Sequence, residues 1–138
     1  MRELNEELPI ELDKKSVVER DEDALLVDNK LYFIKQEDEW IPALPLLLLQ
    51  EDLLPQLTVD MGAVKFVANG ADIMRPGITA VPDTPKNALV VVVDERNRKP
   101  LAVGRMKHAG ADMRAMSAGN VVESLHYVGD EYWNKYSN

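Results

Sequence analysis

The run "NALVVVVD", residues 87–94, limits the fold more than any other feature of the chain. Four consecutive valines follow a leucine, so a strand here is apolar on both of its faces. β-branched residues favour extended backbone, and a strand without polar alternation must be covered on both sides. The segment therefore predicts a central strand between two packed layers. The polar stretch "ERNRKP" then turns the chain into a second strand, "LAVGRMK".

With 138 residues the chain has room for one ordinary domain or two small modules sharing an interface. An apolar content of 46% argues against wholesale disorder. The absence of cysteine removes disulfides, thiolate metal sites and cysteine nucleophiles, and is compatible with a reducing cytoplasm. The first twenty residues are charged throughout and contain no secretory apolar core. The greasiest stretch, "WIPALPLLLLQEDLLPQL", is too short between its prolines to span a bilayer, which takes about 20 apolar residues. It predicts a buried helix over Leu46 to Leu54 in a soluble protein with no membrane partner.

The net charge of −8 is unevenly placed. Residues 1–58 hold six Lys/Arg against fifteen Asp/Glu, whereas residues 59–138 hold ten against nine. Unequal halves predict two modules with different partners, although an acidic solubilising surface accounts for the first half equally well. The acidic total counts against broad nonspecific nucleic-acid binding, but leaves room for a local basic face on the second half.

Along the chain, Leu8, Ile10 and Leu12 alternate like an edge strand. "ALLVDNKLYFIKQ" predicts a hairpin turning at Asp28-Asn29, with Trp40 and Ile41 continuing the sheet. Pro45 suits the first turn of the following helix. Near residue 58 the pattern changes. Asp60 is placed to cap a helix running to Ala68, with Val64, Val67 and Ala68 on one side. Asn69-Gly70 is a left-handed stop, and Ala71 to Met74 reads as a short strand closed by Arg75-Pro76-Gly77. A helix over Ala111 to Ser117 ends at Gly119, and "VVESLHYV" supplies the last strand. The second half therefore reads as a small mixed barrel.

Enzyme signatures are poor. Neither a phosphate-binding G-x-x-x-x-G-K-[ST] loop nor a G-x-S-x-G elbow occurs. His108 and His126 lie eighteen residues apart without a ligand-spaced partner, so no metal site is expected, and His126 reads as a hydrogen-bonded structural histidine. No cofactor is called for. Gly62 is the unusual residue. In a first helical turn glycine costs about 0.5–1 kcal/mol relative to alanine. Either close internal packing requires the missing side chain, or the amides of that turn approach an anionic ligand. Lys65, Arg75, Arg105 and Lys107 are the candidate cations beside it.

The segment "GAVKFVANGADIMRPGI" is similar to the signature of the PUA domain, an RNA-binding module known from pseudouridine synthases and archaeosine transglycosylases. "KPLAVG" and "GNVVESLHYVGDEYW" continue the likeness in order, over about eighty residues. Upstream, "LLVDNKLYFIKQ" and the proline-punctuated helix resemble the translation-associated PUA proteins related to malignant T-cell amplified sequence and the N-terminal part of ligatin. The resemblance implies an α+β fold, with a small N-terminal α/β module (1–57) packed on a C-terminal PUA pseudobarrel (58–138), a mixed β-barrel with two short helices. It implies noncatalytic binding of structured RNA in translation, a tRNA acceptor end or rRNA, with the small ribosomal subunit or a translation-factor partner in attendance. Two other readings are a protein-interaction adaptor and a specificity subunit for a separate RNA-modifying enzyme. Carried onto matching positions, the RNA-facing surface comprises Gly62, Lys65, Asn69, Gly70, Ala71 and Arg75. Arg105 and Lys107 extend it by charge alone. Two departures stand out: the first residues are acidic where the family is usually basic, and Ser117-Ala118-Gly119 lacks the lysine often found before that glycine.

Overall fold

A computed structural model describes residues 15–136; the expected strand at Leu8, Ile10 and Leu12 lies outside them. Two sheets are formed by the described residues. The first is an antiparallel meander of β1 (Val18–Asp21), β2 (Ala24–Val27), β3 (Lys30–Gln36) and β4 (Glu39–Pro42), followed by helix α1 (Leu44–Leu49). The β2–β3 turn sits at Asp28-Asn29 as expected, with φ of +51° and +69°. Two successive left-handed residues match the twist of a two-residue hairpin, and Asn and Asp tolerate that conformation best after glycine.

The second sheet holds β5 (Gln56–Val59), β6 (Ile73–Met74), β7 (Ile78–Ala80), β8 (Leu89–Asp94), β9 (Pro100–Met106) and β10 (Asn120–Tyr127), in the order β6-β10-β9-β8-β5-β7. β5 runs parallel to β8, with Val59 opposite Asp94. Such a pair needs a crossover, and the crossover contains helix α2 (Met61–Ala68), β6, a 3-10 turn at Arg75–Gly77 and β7. Helices α3 (Gly110–Arg114) and α4 (Glu131–Tyr136) complete the chain.

The valine strand does what its composition demands. Val90 and Val92 enter a core shared with Leu57, Val67, Ile73 and Met106, inside the curled six-stranded sheet. Val91 and Val93 face the other way, into a core with Leu31, Ile34, Ile41 and Leu47 of the meander and α1. One strand thus joins both layers. His126 bolts them together: fully buried, its Nε2 accepts the Leu44 N–H at 3.1 Å while Nδ1 meets Asp130 Oδ2 at 2.7 Å. This is the structural histidine the sequence predicted.

Several element boundaries differ from expectation. α1 spans Leu44–Leu49, not Leu46 to Leu54, because Gln50 leaves helical geometry (ψ 85°) and caps the helix through its N–H to the Leu46 carbonyl. Ala68 is exposed, and Ala63 joins Val64 and Val67 on the core side of α2. The strand after Gly70 begins only at Ile73, and α3 ends at Arg114 instead of Ser117. Gly110 opens α3 where a Cβ would sit 2.0 Å from the Pro82 carbonyl oxygen, so only glycine fits beneath that loop.

Candidate nucleic-acid interface

α2 is fixed at both ends by its own sequence. The Asp60 carboxylate accepts the Ala63 N–H at 2.9 Å, an N-cap that satisfies one free amide of the first turn. At the other end Gly70 takes φ +86°, and the Ala71 N–H returns to the Phe66 carbonyl at 3.1 Å. That reversal feeds the chain directly into β6 and the 3-10 turn, which run beside the helix. Between helix and turn lies an open cavity of about 400 Å³, walled by Gly62, Ala63, Phe66, Asp72, Met74 and Pro76. Phe66 and Met74 are 57% and 52% exposed, large apolar groups that the core does not use. An exposed apolar concavity with polar edges marks a binding surface more often than isolated surface leucines do.

The predicted residues fall into four groups. Gly62 lines the cavity, and among the described residues outside its own helix backbone a Cβ there would meet only Asp60 Oδ1 at 3.4 Å, an ordinary contact. Close internal packing therefore does not account for this glycine. Lys65 stands on the same helix with its ammonium 5.2 Å from the Phe66 ring centroid, and it forms no ion pair among the described residues. Asn69, Gly70 and Ala71 make the turn joining the two walls, with the Tyr127 ring packed against Gly70.

The other cations have internal partners. Arg75 starts the opposite wall but directs Nε to the Met113 carbonyl at 2.8 Å and Nη1 to the Ile78 carbonyl at 3.1 Å. Lys107 Nζ lies 3.7 Å from Asp72 Oδ2 at the cavity edge. Arg105 is remote, pairing with Glu39 of the meander and donating to the Asn87 carbonyl at 2.9 Å. Burial alone would raise the Asp72 pKa, but the Ser124 N–H, the Asn120 amide and Lys107 outweigh it and hold the carboxyl below its ordinary 3.8. An ionised carboxylate, with Lys107 beside it, thus lines the cavity.

Sequence reasoning missed Phe66, Asp72 and Met74 at this surface. For Phe66 a signal was present: it lies one position before Val67 and so falls off the apolar stripe of α2, where an aromatic residue has no core to fill.

The architecture is an α+β pseudobarrel carrying a small antiparallel module on one outer face and an open groove beside α2. Residues 55–128 match the PUA domain model, and residues 1–57 match a domain of unknown function, DUF1947. The chain belongs to the PUA-domain family. An uncharacterized protein of Methanocaldococcus jannaschii is 42% identical over 115 residues, covering 83% of this chain and 71% of that one. Translation machinery-associated protein 20 of Saccharomyces cerevisiae is 35% identical over 115 residues, 78% of this chain and 64% of its own length. The crystal structure of a hypothetical protein from Pyrococcus horikoshii superposes with a TM-score of 0.77 at 31% identity, covering 91% of this chain and 82% of that one.

Proposed function

We propose that this chain is a noncatalytic RNA-binding protein of the translation apparatus, and that the groove between α2 and the 3-10 turn receives an unpaired end of a structured RNA, such as a tRNA acceptor end or an exposed rRNA strand. The observation that carries the reading is the exposure of Phe66 and Met74 on one open cavity, with the Lys65 ammonium, which forms no ion pair among the described residues, 5.2 Å from the Phe66 ring centroid. Sequence-selective RNA recognition relies on unstacked bases, which find a new stacking partner on an aromatic or apolar wall while a nearby cation meets phosphate. Gly62 leaves the first-turn backbone open to the ligand, and the amides there carry the positive end of the helix dipole. Asn69 to Ala71 border the same ligand at the far end of the helix. The name of the yeast relative supports a place in translation.

The test is equilibrium binding to deacylated tRNA with and without its 3′ CCA end, across a salt series. The expected result is preference for the intact end, with affinity falling as salt rises. Phe66→Ala should weaken binding by about 1–3 kcal/mol, the usual worth of one stacked base. Failure of both tRNAs to bind at low salt would remove the acceptor-end reading and leave rRNA as the RNA to test.

A further inference from the structure

Half of the ten cations of the second half are tied to the fold. Arg75, Arg105, Lys107, Arg114 and Lys135 each bond to a carbonyl or a carboxylate. The β8–β9 turn is different. Arg96, Arg98 and Lys99 are all exposed, and none has a side-chain partner among the described residues. In a chain of net charge −8, three exposed cations within four positions form a basic cluster, offset in part by the exposed Glu95 beside it.

The turn is also rigid. The nearly buried Asp94 carboxylate accepts the backbone N–H groups of Arg96 at 3.0 Å, Asn97 at 2.5 Å and Lys99 at 3.2 Å, and Arg98 is held at φ +55°. Its place in the fold completes the argument. Val59 lies opposite Asp94, and the Glu95 N–H donates to the Val59 carbonyl at 2.9 Å. The residue after Val59 is Asp60, the cap of α2 and a wall of the groove. The basic turn therefore stands at the end of the sheet from which α2 departs, where a ligand leaving the groove past Gly62 would pass.

We infer that the β8–β9 turn is a second RNA contact, at which Arg96, Arg98 and Lys99 take up backbone phosphates of the same RNA whose unpaired end occupies the α2 groove. The inference rests on the groove reading and adds a division of labour to it. The groove holds a base, and the turn supplies much of the salt-dependent attraction. Phosphate contacts of this kind position a nucleic acid without reading its sequence.

The test compares wild-type protein with the triple variant Arg96→Gln, Arg98→Gln, Lys99→Gln. The probes are a fluorescein-labelled acceptor-stem minihelix with a four-nucleotide unpaired 3′ end, and the four-nucleotide strand alone. Anisotropy is read over a salt series. Each phosphate contact contributes about 0.7–0.9 to the slope of log K against log salt, so the minihelix slope should fall by about 2–3 in the variant. Binding of the four-nucleotide strand should be unchanged. Lys86→Gln, an exposed change before β8 at its opposite end, should leave both slopes alone. If wild type binds but the variant's minihelix slope is unchanged, or if Lys86→Gln lowers it as much, the turn is not a contact, while the groove reading stands. If wild type binds neither probe, the acceptor-end reading falls, and the division of labour between groove and turn on such an RNA falls with it.

Discussion

Gly62→Ala separates ligand recognition from packing, because the two should respond with opposite signs. Gly62 is the second residue of α2, and beyond its own helix backbone the one described heavy atom a Cβ would approach within 4 Å is Asp60 Oδ1, at 3.4 Å. Alanine therefore fits without strain. Glycine disfavours a helix interior by about 0.8–1.0 kcal/mol relative to alanine, and roughly half of that should apply in a first turn. The variant should gain about 0.5 kcal/mol, which for a domain of this size raises Tm by roughly 2 °C. The same methyl group projects beside the groove that Gly62 lines. Where a nucleotide backbone packs against the bare helix turn, the methyl should weaken RNA binding by about tenfold, or roughly 1.4 kcal/mol. Thermal melting and anisotropy titration with acceptor-end RNA read the two effects on one preparation. A higher Tm with unchanged affinity would remove Gly62 from the interface. A lower Tm would show that the residue is needed for packing after all, and the argument from free space would fail.

Lys65→Ala should weaken all RNA ligands alike and reduce the salt slope by about 1, with little change in stability. Arg75→Ala should do the reverse, costing about 2 kcal/mol in denaturant titration through its two carbonyl bonds while leaving the salt slope unchanged. Gly110→Ala should be destabilising by roughly 2 kcal/mol or more, because its methyl would collide with the Pro82 backbone, and a urea titration would read this as a lowered midpoint. The pH dependence follows from Asp130. Burial would raise its pKa, but the His126 imidazole and the Trp133 and Tyr127 N–H groups hold it below 3.8. A depressed carboxyl lends stability that is present above its unfolded pKa and lost as pH falls through the native value. Wild type should therefore lose stability below about pH 4, and Asp130→Asn, weaker at neutral pH, should show a shallower decline there by circular dichroism.

The parts of the fold that were legible rest on local chemistry. Asp28-Asn29, the Asp60 cap and the Asn69-Gly70 stop each act within a few residues, and the valines of β8 announce two covered faces without saying by what. The errors lie where distant packing decides. Leu53 and Leu54 continue the apolar pattern of α1, but the helix stops at Leu49, and both leucines pack on the meander core from a turn instead. Pro55 favours that outcome, since the residue before a proline is disfavoured in helical geometry. α4 was not anticipated, although Asp130 caps it by accepting the Trp133 N–H at 2.8 Å. Its aromatic residues Tyr132, Trp133 and Tyr136 pack on the meander core, and Tyr136 donates to Asp21, a partner 115 residues earlier that no local pattern could supply.

The same distinction governs the candidate site. A sequence states how many cations a segment holds, but whether each is available depends on partners far along the chain. Arg75 was expected as a ligand contact from the family resemblance and Arg105 by charge alone. Their side chains are occupied by Met113 and by Glu39, respectively 38 and 66 residues away. Arg96, Arg98 and Lys99 looked like an ordinary polar turn and have no such partners among the described residues. A guanidinium already donating to carbonyls or a carboxylate must break those bonds to meet phosphate, whereas a surface cation without such partners gives up only water and counterions. On that ground the attraction for a polyanion should reside with Lys65 and the β8–β9 turn, and neutralising Arg105 should leave the salt dependence of RNA binding where it was.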